Sequence, residues 1–188
     1  MVAVMLDDLQ VIFWAITYIL VLIAAYCSRD IKRMSIPCIA VILNFAWEAS
    51  ALQQSGGMWG HILWFALDCG IVYIVFLCLD NFWKKVLYGA AIYVSVLVCA
   101  YGFARPNGML FLVFLIDLIL AVSFLVSRKR LSPKLKIWIA VTKLLGDTFA
   151  GLHYMEDMVA VAVMAGIVFV CNVLYLYLVC QELRPREK

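Results

Sequence analysis

The feature that most constrains this chain is a series of seven apolar stretches, each close to the length of a membrane-spanning helix. A helix needs about 20 predominantly apolar residues to cross roughly 30 Å of hydrocarbon. Only 14% of the residues are charged, against about 25% in soluble domains. The pattern predicts an all-α fold, a seven-transmembrane-helix bundle that forms one integral membrane domain over residues 1–188. The stretches run from Leu9 to Cys27, Ser35 to Leu52, Met58 to Leu79, Val86 to Ala104, Met109 to Val126, Leu135 to Leu152 and Met158 to Cys180.

The basic residues indicate an orientation for this bundle. Thirteen of the fifteen lysines and arginines fall after helices 1, 3 and 5 or at the C-terminal end, and basic residues concentrate in cytoplasmic loops. We therefore expect the N-terminus outside and the C-terminus in the cytoplasm. The surrounding lipid bilayer is expected to be a bacterial inner membrane or the endoplasmic reticulum. These basic loops account for the net charge of +3, which gives no indication of nucleic-acid binding.

Four acidic residues lie inside the predicted spans, where an ionised group is costly. Counted at about 1.5 Å per residue from the helix ends, all four fall between the midplane and the outer third of the bilayer. Each acid would otherwise need its own partner, so we expect a shared polar pocket that opens toward the outer half. The four acids are Glu48, Asp68, Asp117 and Asp147.

Glu48 is the strongest candidate for chemistry. Asn44 lies four residues earlier on the same helix face, and an amide can hydrogen-bond a neutral carboxylic acid but cannot neutralise a carboxylate. A neutral acid held in this way can donate a proton to a weakly basic substrate. Structural hydrogen bonding is the alternative role. Lys143 and Asp147 have the same four-residue spacing, and an ion pair within helix 6 is the simpler interpretation of those two.

The cysteines and histidines give no pattern of metal ligands. The seven cysteines are scattered through apolar stretches without a C-x-x-C pair, which is typical of small buried side chains. His61 and His153 lie near the predicted outer ends of helices and have no second ligand nearby in the sequence. Interfacial hydrogen bonding is therefore favoured over metal binding for both.

Three segments carry a resemblance to a known family. Residues Pro37 to Glu48, ending Asn-Phe-Ala-Trp-Glu, resemble the second helix of the small integral-membrane terpene cyclases of fungal meroterpenoid and indole-diterpene pathways. The segment Trp64 to Asp68 looks like the third-helix segment of that family, and Lys143 to Gly146 resembles its basic-x-x-Gly segment in helix 6. The seven-helix plan also agrees with this family or with a bacterial relative of it, and the resemblance covers nearly the whole chain.

The resemblance implies a non-metal terpene cyclase without a cofactor. Such an enzyme protonates an epoxide or alkene of a linear prenyl-type substrate, which then cyclises as a cation against aromatic rings. The family uses one acid in helix 2, matched by Glu48, and one in helix 7, where this sequence has Asn172. The departure at Asn172 implies either that Asp68, Asp117 or Asp147 supplies the second acid or that the substrate differs from that of the family. The implied site has Glu48 and Asp68 as catalytic residues and a substrate-binding set of Asn44, Trp47, Trp64, Asn172 and Tyr175.

Two other functions fit the same residues. Several carboxylates inside a membrane are also typical of a proton-coupled small-molecule transporter or binding protein. A photoreceptor with a retinal Schiff base is disfavoured, because helix 7 contains no lysine and Lys143 in helix 6 has a partner in Asp147.

Overall fold

The computed structural model describes residues 2–28, 38–54, 59–105, 107–127, 133–154 and 159–183. Across these ranges the chain is all α-helical, with seven helices and no strand. The helices are α1 (Val2–Ser28), α2 (Cys38–Gln54), α3 (Trp59–Cys78), α4 (Phe82–Phe103), α5 (Gly108–Ser127), α6 (Pro133–Tyr154) and α7 (Val159–Leu183).

The all-α prediction with seven helices is confirmed for the described residues. Five of the helices, α1, α3, α4, α5 and α7, are long and apolar enough to cross a membrane. The described part of α2 has 17 residues, which is short for a span. Helix α6 has 22 residues, but Lys136, Lys143 and Asp147 make it more polar. These two helices, α2 and α6, carry Glu48 and Asp147, two of the four acids predicted to lie inside the spans.

Two helices begin four or more residues earlier than the apolar stretches predict. Helix α4 begins at Phe82 rather than Val86 because Asn81 caps it: the Asn81 side chain accepts a hydrogen bond from the Trp83 backbone N–H at 2.8 Å. Helix α1 begins at Val2 rather than Leu9. The first turns of α1 include the polar residue Asp7, so this helix extends beyond its apolar stretch.

The helices pack into a ring. Helix α1 packs against α6 and α3, α6 continues to α7, and α7 to α5. Helix α5 contacts α2 and α2 contacts α3, which closes the ring, while α4 packs on α2 and α5. The outer faces of α4 and α7 expose large apolar side chains, including Leu87 and Val170. Such faces suit contact with lipid.

Glycines allow the neighbouring helices to approach α1 closely. A Cβ atom added at Gly60 or Gly70 of α3 would lie 3.1 Å from a side-chain carbon of Val11 or Leu22, respectively. A Cβ atom at Gly146 of α6 would lie 2.9 Å from Cδ1 of Trp14. Small residues at helix crossings let backbones pack tightly in membrane bundles. The close packing fixes α1 against both α3 and α6.

Candidate functional site

A cavity of about 380 Å³ lies at the end of the bundle where α1, α3 and α5 begin and where α2 and α6 end. All five of these helices contribute to its wall. The volume falls within the range of about 300 to 1,000 Å³ that is typical of small-molecule sites. The wall is rich in aromatic rings, contributed by Trp14, Tyr18, Trp47, Trp59, Trp64, Phe114 and Tyr154.

Glu48 lies in the wall of this cavity and faces a histidine. Its Oε2 atom is 3.2 Å from Nδ1 of His61, and the two residues are only 2% and 7% exposed. The contact joins the second half of α2 to the first turn of α3. A carboxyl group and an imidazole at this distance can share or pass a proton. The cavity wall therefore contains a buried pair of groups that can exchange a proton.

Two tryptophans hold the His61 ring in place. The Trp47 ring centroid is 5.5 Å from that of His61, and the Trp64 ring meets the His61 ring edge-on, also at 5.5 Å. Trp47 also packs against Phe103 at 5.9 Å. Aromatic rings at these separations and tilts attract one another. The imidazole therefore has a fixed place beside the carboxyl group of Glu48.

Asn44 lies one helical turn from Glu48, but the predicted hydrogen bond between them is wrong: within the described residues Glu48 contacts His61, and Asn44 connects three helices. Its Nδ2 atom donates to the Tyr18 hydroxyl at 2.6 Å and to Oδ2 of Asp68 at 2.7 Å. Asn44 and Tyr18 line the cavity, whereas Asp68 lies in the wall of a smaller adjoining hollow. Asp68 therefore reaches the cavity through Asn44.

A second polar cluster lies next to the cavity. Lys143 Nζ donates to Oδ2 of Asp147 at 2.5 Å, and Nδ2 of Asn172 donates to the same oxygen at 2.5 Å. The Lys143 ammonium also lies 4.7 Å from the ring centroid of Trp14, in the geometry of a cation–π contact. Asp117 lines the cavity and interacts electrostatically with Asp147, Lys143 and Glu48.

The structure brings together part of the predicted site. Asn44, Trp47, Glu48 and Trp64 all line the cavity, as does Asp117. The Lys143–Asp147 ion pair within helix 6 is confirmed.

The other predicted site residues lie elsewhere. The prediction that one pocket holds all four acids is wrong for two of them. The cavity wall contains Glu48 and Asp117. Asp68 contacts Asn44 instead, and Asp147 contacts Lys143 and Asn172. Asn172 is therefore engaged with Asp147 outside the cavity wall. Tyr175 is likewise outside the wall, and its ring packs against Phe124 at 5.7 Å.

Two residues of the site, His61 and Tyr18, are not among the site residues predicted from the sequence. Residues at similar distances from the connection between two antiparallel helices come level with each other. This geometry pairs Asn44 with Asp68 and places His61 within about one turn of the level of Glu48. The position of His61 near Glu48 could therefore be predicted from the antiparallel packing of α2 and α3. The position of Tyr18 beside Asn44 could not be predicted in this way, because no pattern within α1 indicates which helices it packs against.

The arrangement supports proton transfer in an apolar cavity. Among the described residues, no group of three or more His, Cys, Asp or Glu side chains could hold a metal ion. Among the described lining residues, the carboxyl groups of Asp7, Glu48 and Asp117 and the imidazole of His61 can exchange protons with a ligand.

Comparison of the chain with protein-family models, with curated proteins and with solved structures finds no match.

Proposed function

We propose that this protein is a membrane-integrated terpene cyclase that starts the cyclisation of a linear prenyl or epoxyprenyl substrate by protonation. The observation that carries the proposal is the position of Glu48, a buried carboxyl group in the wall of a cavity lined by aromatic rings. Apolar walls suit a prenyl chain, and the π faces of the rings can stabilise a carbocation. The proposal agrees with the resemblance of the Asn-Phe-Ala-Trp-Glu segment.

In the proposed reaction, Glu48 donates its proton to an epoxide oxygen or an alkene carbon of the folded substrate. The resulting cation forms new carbon–carbon bonds by accepting π electrons from the next double bond of the chain. Loss of a proton from carbon then ends the reaction, so substrate and product have the same composition. Asp117 is the other buried carboxyl group in the described cavity wall and is the proposed proton acceptor.

Asp68 has an indirect role in this proposal. Its contact with Asn44 at 2.7 Å makes it a positioning residue, because its carboxyl group acts on the cavity through the Asn44 amide. Exclusion of water from the cavity would prevent early capture of the cation.

We also propose that all seven helices span the bilayer, with the N-terminus outside and the C-terminus in the cytoplasm. Basic residues support this orientation. The cavity would then open toward the outer leaflet, since its rim includes Asp7 and Gln54, at the start of α1 and the end of α2. The host would be a bacterial inner membrane or the endoplasmic reticulum.

The test is product analysis by mass and retention time, with purified protein and a panel of linear prenyl and epoxyprenyl compounds. Wild-type protein should yield an isomer of the substrate, and Glu48→Gln should lose at least about a hundredfold in turnover, the usual contribution of a general acid. The matched control is Asp8→Asn, which changes an exposed acid of α1 and should leave turnover unchanged. Normal product formation by folded Glu48→Gln protein would contradict the proposal.

Proton-coupled transport is the second candidate, and one observation favours it. Glu48 and Asp117 line the cavity, and Asp117 also interacts electrostatically with the buried Asp147, so acidic groups continue from the cavity wall into the neighbouring Lys143–Asp147 cluster. Such a series can carry protons in transporters. Substrate flux into proteoliposomes without chemical change would favour transport, whereas an isomeric product would favour cyclisation.

A further inference from the structure

The two oxygens of the Glu48 carboxyl group have different surroundings. Oε2 lies 3.2 Å from Nδ1 of His61, whereas Oε1 makes no hydrogen bond among the described residues. Oε1 is also not one of the buried side-chain atoms that lack a partner, and Glu48 lines the cavity. Oε1 is therefore the oxygen that a ligand in the cavity can reach.

The position of the acidic proton on Glu48 depends on the tautomer of His61. A neutral imidazole has one nitrogen with a hydrogen and one without. If Nδ1 had no hydrogen, the Glu48 proton would lie on Oε2 and point at His61, away from the cavity. If Nδ1 carries the hydrogen, Nδ1–H donates to Oε2 and the acidic proton lies on Oε1. The second arrangement presents the proton to a substrate.

The same N–H group would stabilise the charge that proton transfer creates. Once Glu48 has given up its proton, it is a carboxylate in a wall that has no lysine or arginine among its described residues. A hydrogen bond to a carboxylate is stronger than one to a neutral acid. Trp47 and Trp64 pack against the imidazole, each at 5.5 Å between ring centroids. The donor is therefore in place before the charge develops, which is the arrangement that lowers a barrier electrostatically.

We infer that His61 is a positioning residue for Glu48: its Nδ1–H group donates to Oε2, which places the acidic proton on Oε1, facing the cavity. The proton then passes from Oε1 to the substrate, and His61 keeps its own hydrogen throughout the step. The hydrogen bond strengthens as Glu48 becomes a carboxylate. The inference rests on the proposed function in taking Glu48 as the proton donor, but the tautomer of His61 can be measured without turnover.

The first test is ¹⁵N NMR of untagged wild-type protein with labelled histidine in detergent micelles. The chain has two histidines, His61 and His153, so a His153→Gln spectrum assigns the His61 signals. A neutral His61 ring with its hydrogen on Nδ1 is expected. A neutral ring with its hydrogen on Nε2 would overturn the inference. A doubly protonated ring, which the electrostatic interaction with Asp7 would favour, would also overturn it, because Glu48 would then be ionised.

The second test compares two replacements of His61. The amide nitrogen of asparagine is attached to Cγ, as Nδ1 is in histidine, whereas that of glutamine lies one bond further along, as Nε2 does. His61→Gln should lower kcat about a hundredfold, the usual cost of losing one preorganised donor, with KM near its wild-type value. His61→Asn should have a kcat at least about tenfold higher than His61→Gln, the effect of one hydrogen bond to a charged group. His153→Gln is the matched control and should keep the wild-type kcat, because His153 is not among the described lining residues.

The outcomes separate this inference from the proposed function. Equal loss of kcat in folded His61→Asn and His61→Gln would overturn the positioning role, and if neither variant folds, the tautomer in the wild-type ring still decides. A hydrogen on Nδ1 without any isomeric product would support the hydrogen bond and count against the cyclase. Cyclisation by a protein whose His61 carries its hydrogen on Nε2 would support the cyclase and overturn the inference.

Discussion

Replacement of Lys143 by methionine should strongly destabilise the bundle. The Lys143 and Asp147 side chains are 0% and 2% exposed, and their charged atoms are 2.5 Å apart. Removal of the ammonium leaves Asp147 with a single hydrogen bond from Asn172. The other carboxyl oxygen, Oδ1, has no partner among the described residues even in the wild type. The variant would therefore leave a buried acid with little compensation.

The expected loss for Lys143→Met is about 3 to 5 kcal/mol, the usual cost of breaking a buried ion pair from one side. Loss of the contact between the ammonium and Trp14 adds to this cost. The double variant Lys143→Met with Asp147→Asn removes both charges and keeps a polar side chain beside Asn172. It should recover most of the lost stability, because replacing both partners of a buried pair is close to neutral.

The assay is reversible unfolding of the purified protein in mixed micelles, followed by helical circular dichroism as the denaturing detergent increases. Lys84→Met is the matched control. Lys84 and Asp80 have the same four-residue spacing, but their side chains are 58% and 78% exposed, so the change should cost less than about 1 kcal/mol. A loss below about 1 kcal/mol in Lys143→Met, or a double variant no more stable than the single one, would refute the reasoning.

Two further predictions concern packing and topology. Gly146→Ala should lower the free energy of unfolding by about 1 to 3 kcal/mol, because the added Cβ would lie 2.9 Å from Trp14. Gly89→Ala is the control and should be neutral or slightly stabilising, because nothing lies within 4 Å of its added carbon. Equal stabilities of the two variants in the same unfolding assay would contradict the packing argument. A reporter that fluoresces only in the cytoplasm should be active when fused after Lys188 and inactive when fused before Met1, and the reverse result would contradict the proposed orientation.

The helices could be predicted from the sequence because hydrocarbon imposes a length and a composition on any segment that crosses it. Their ends depend on local chemistry that the apolar pattern does not record. The Asn81 cap begins α4 at Phe82, and α1 extends through Asp7 beyond its apolar stretch. Hydropathy alone therefore gives the existence of a helix more securely than its boundaries.

The site was predictable only where a single helix determines it. The four-residue spacing gave the Lys143–Asp147 pair and the shared face of Asn44 and Glu48 on α2. Two other features depend on which helices pack against each other. They are the separation of Asp68 from the cavity and the contact of Tyr18 with Asn44. These packing choices are set by small residues such as Gly60 and by shape, and no pattern within one helix contains them.

The buried Lys143 is kept out of the described cavity wall, which contains no lysine or arginine, by the position of Trp14. One part of the indole lines the cavity, and the Lys143 ammonium lies 4.7 Å from its ring centroid. Gly146 gives the ring the space for this position. The positive charge is thereby paired with Asp147 outside the wall, so Glu48 faces the imidazole of His61 rather than an ammonium. A fixed cation beside Glu48 would favour its charged form and weaken it as a proton donor, so the separation by Trp14 preserves the acid that the proposed reaction requires.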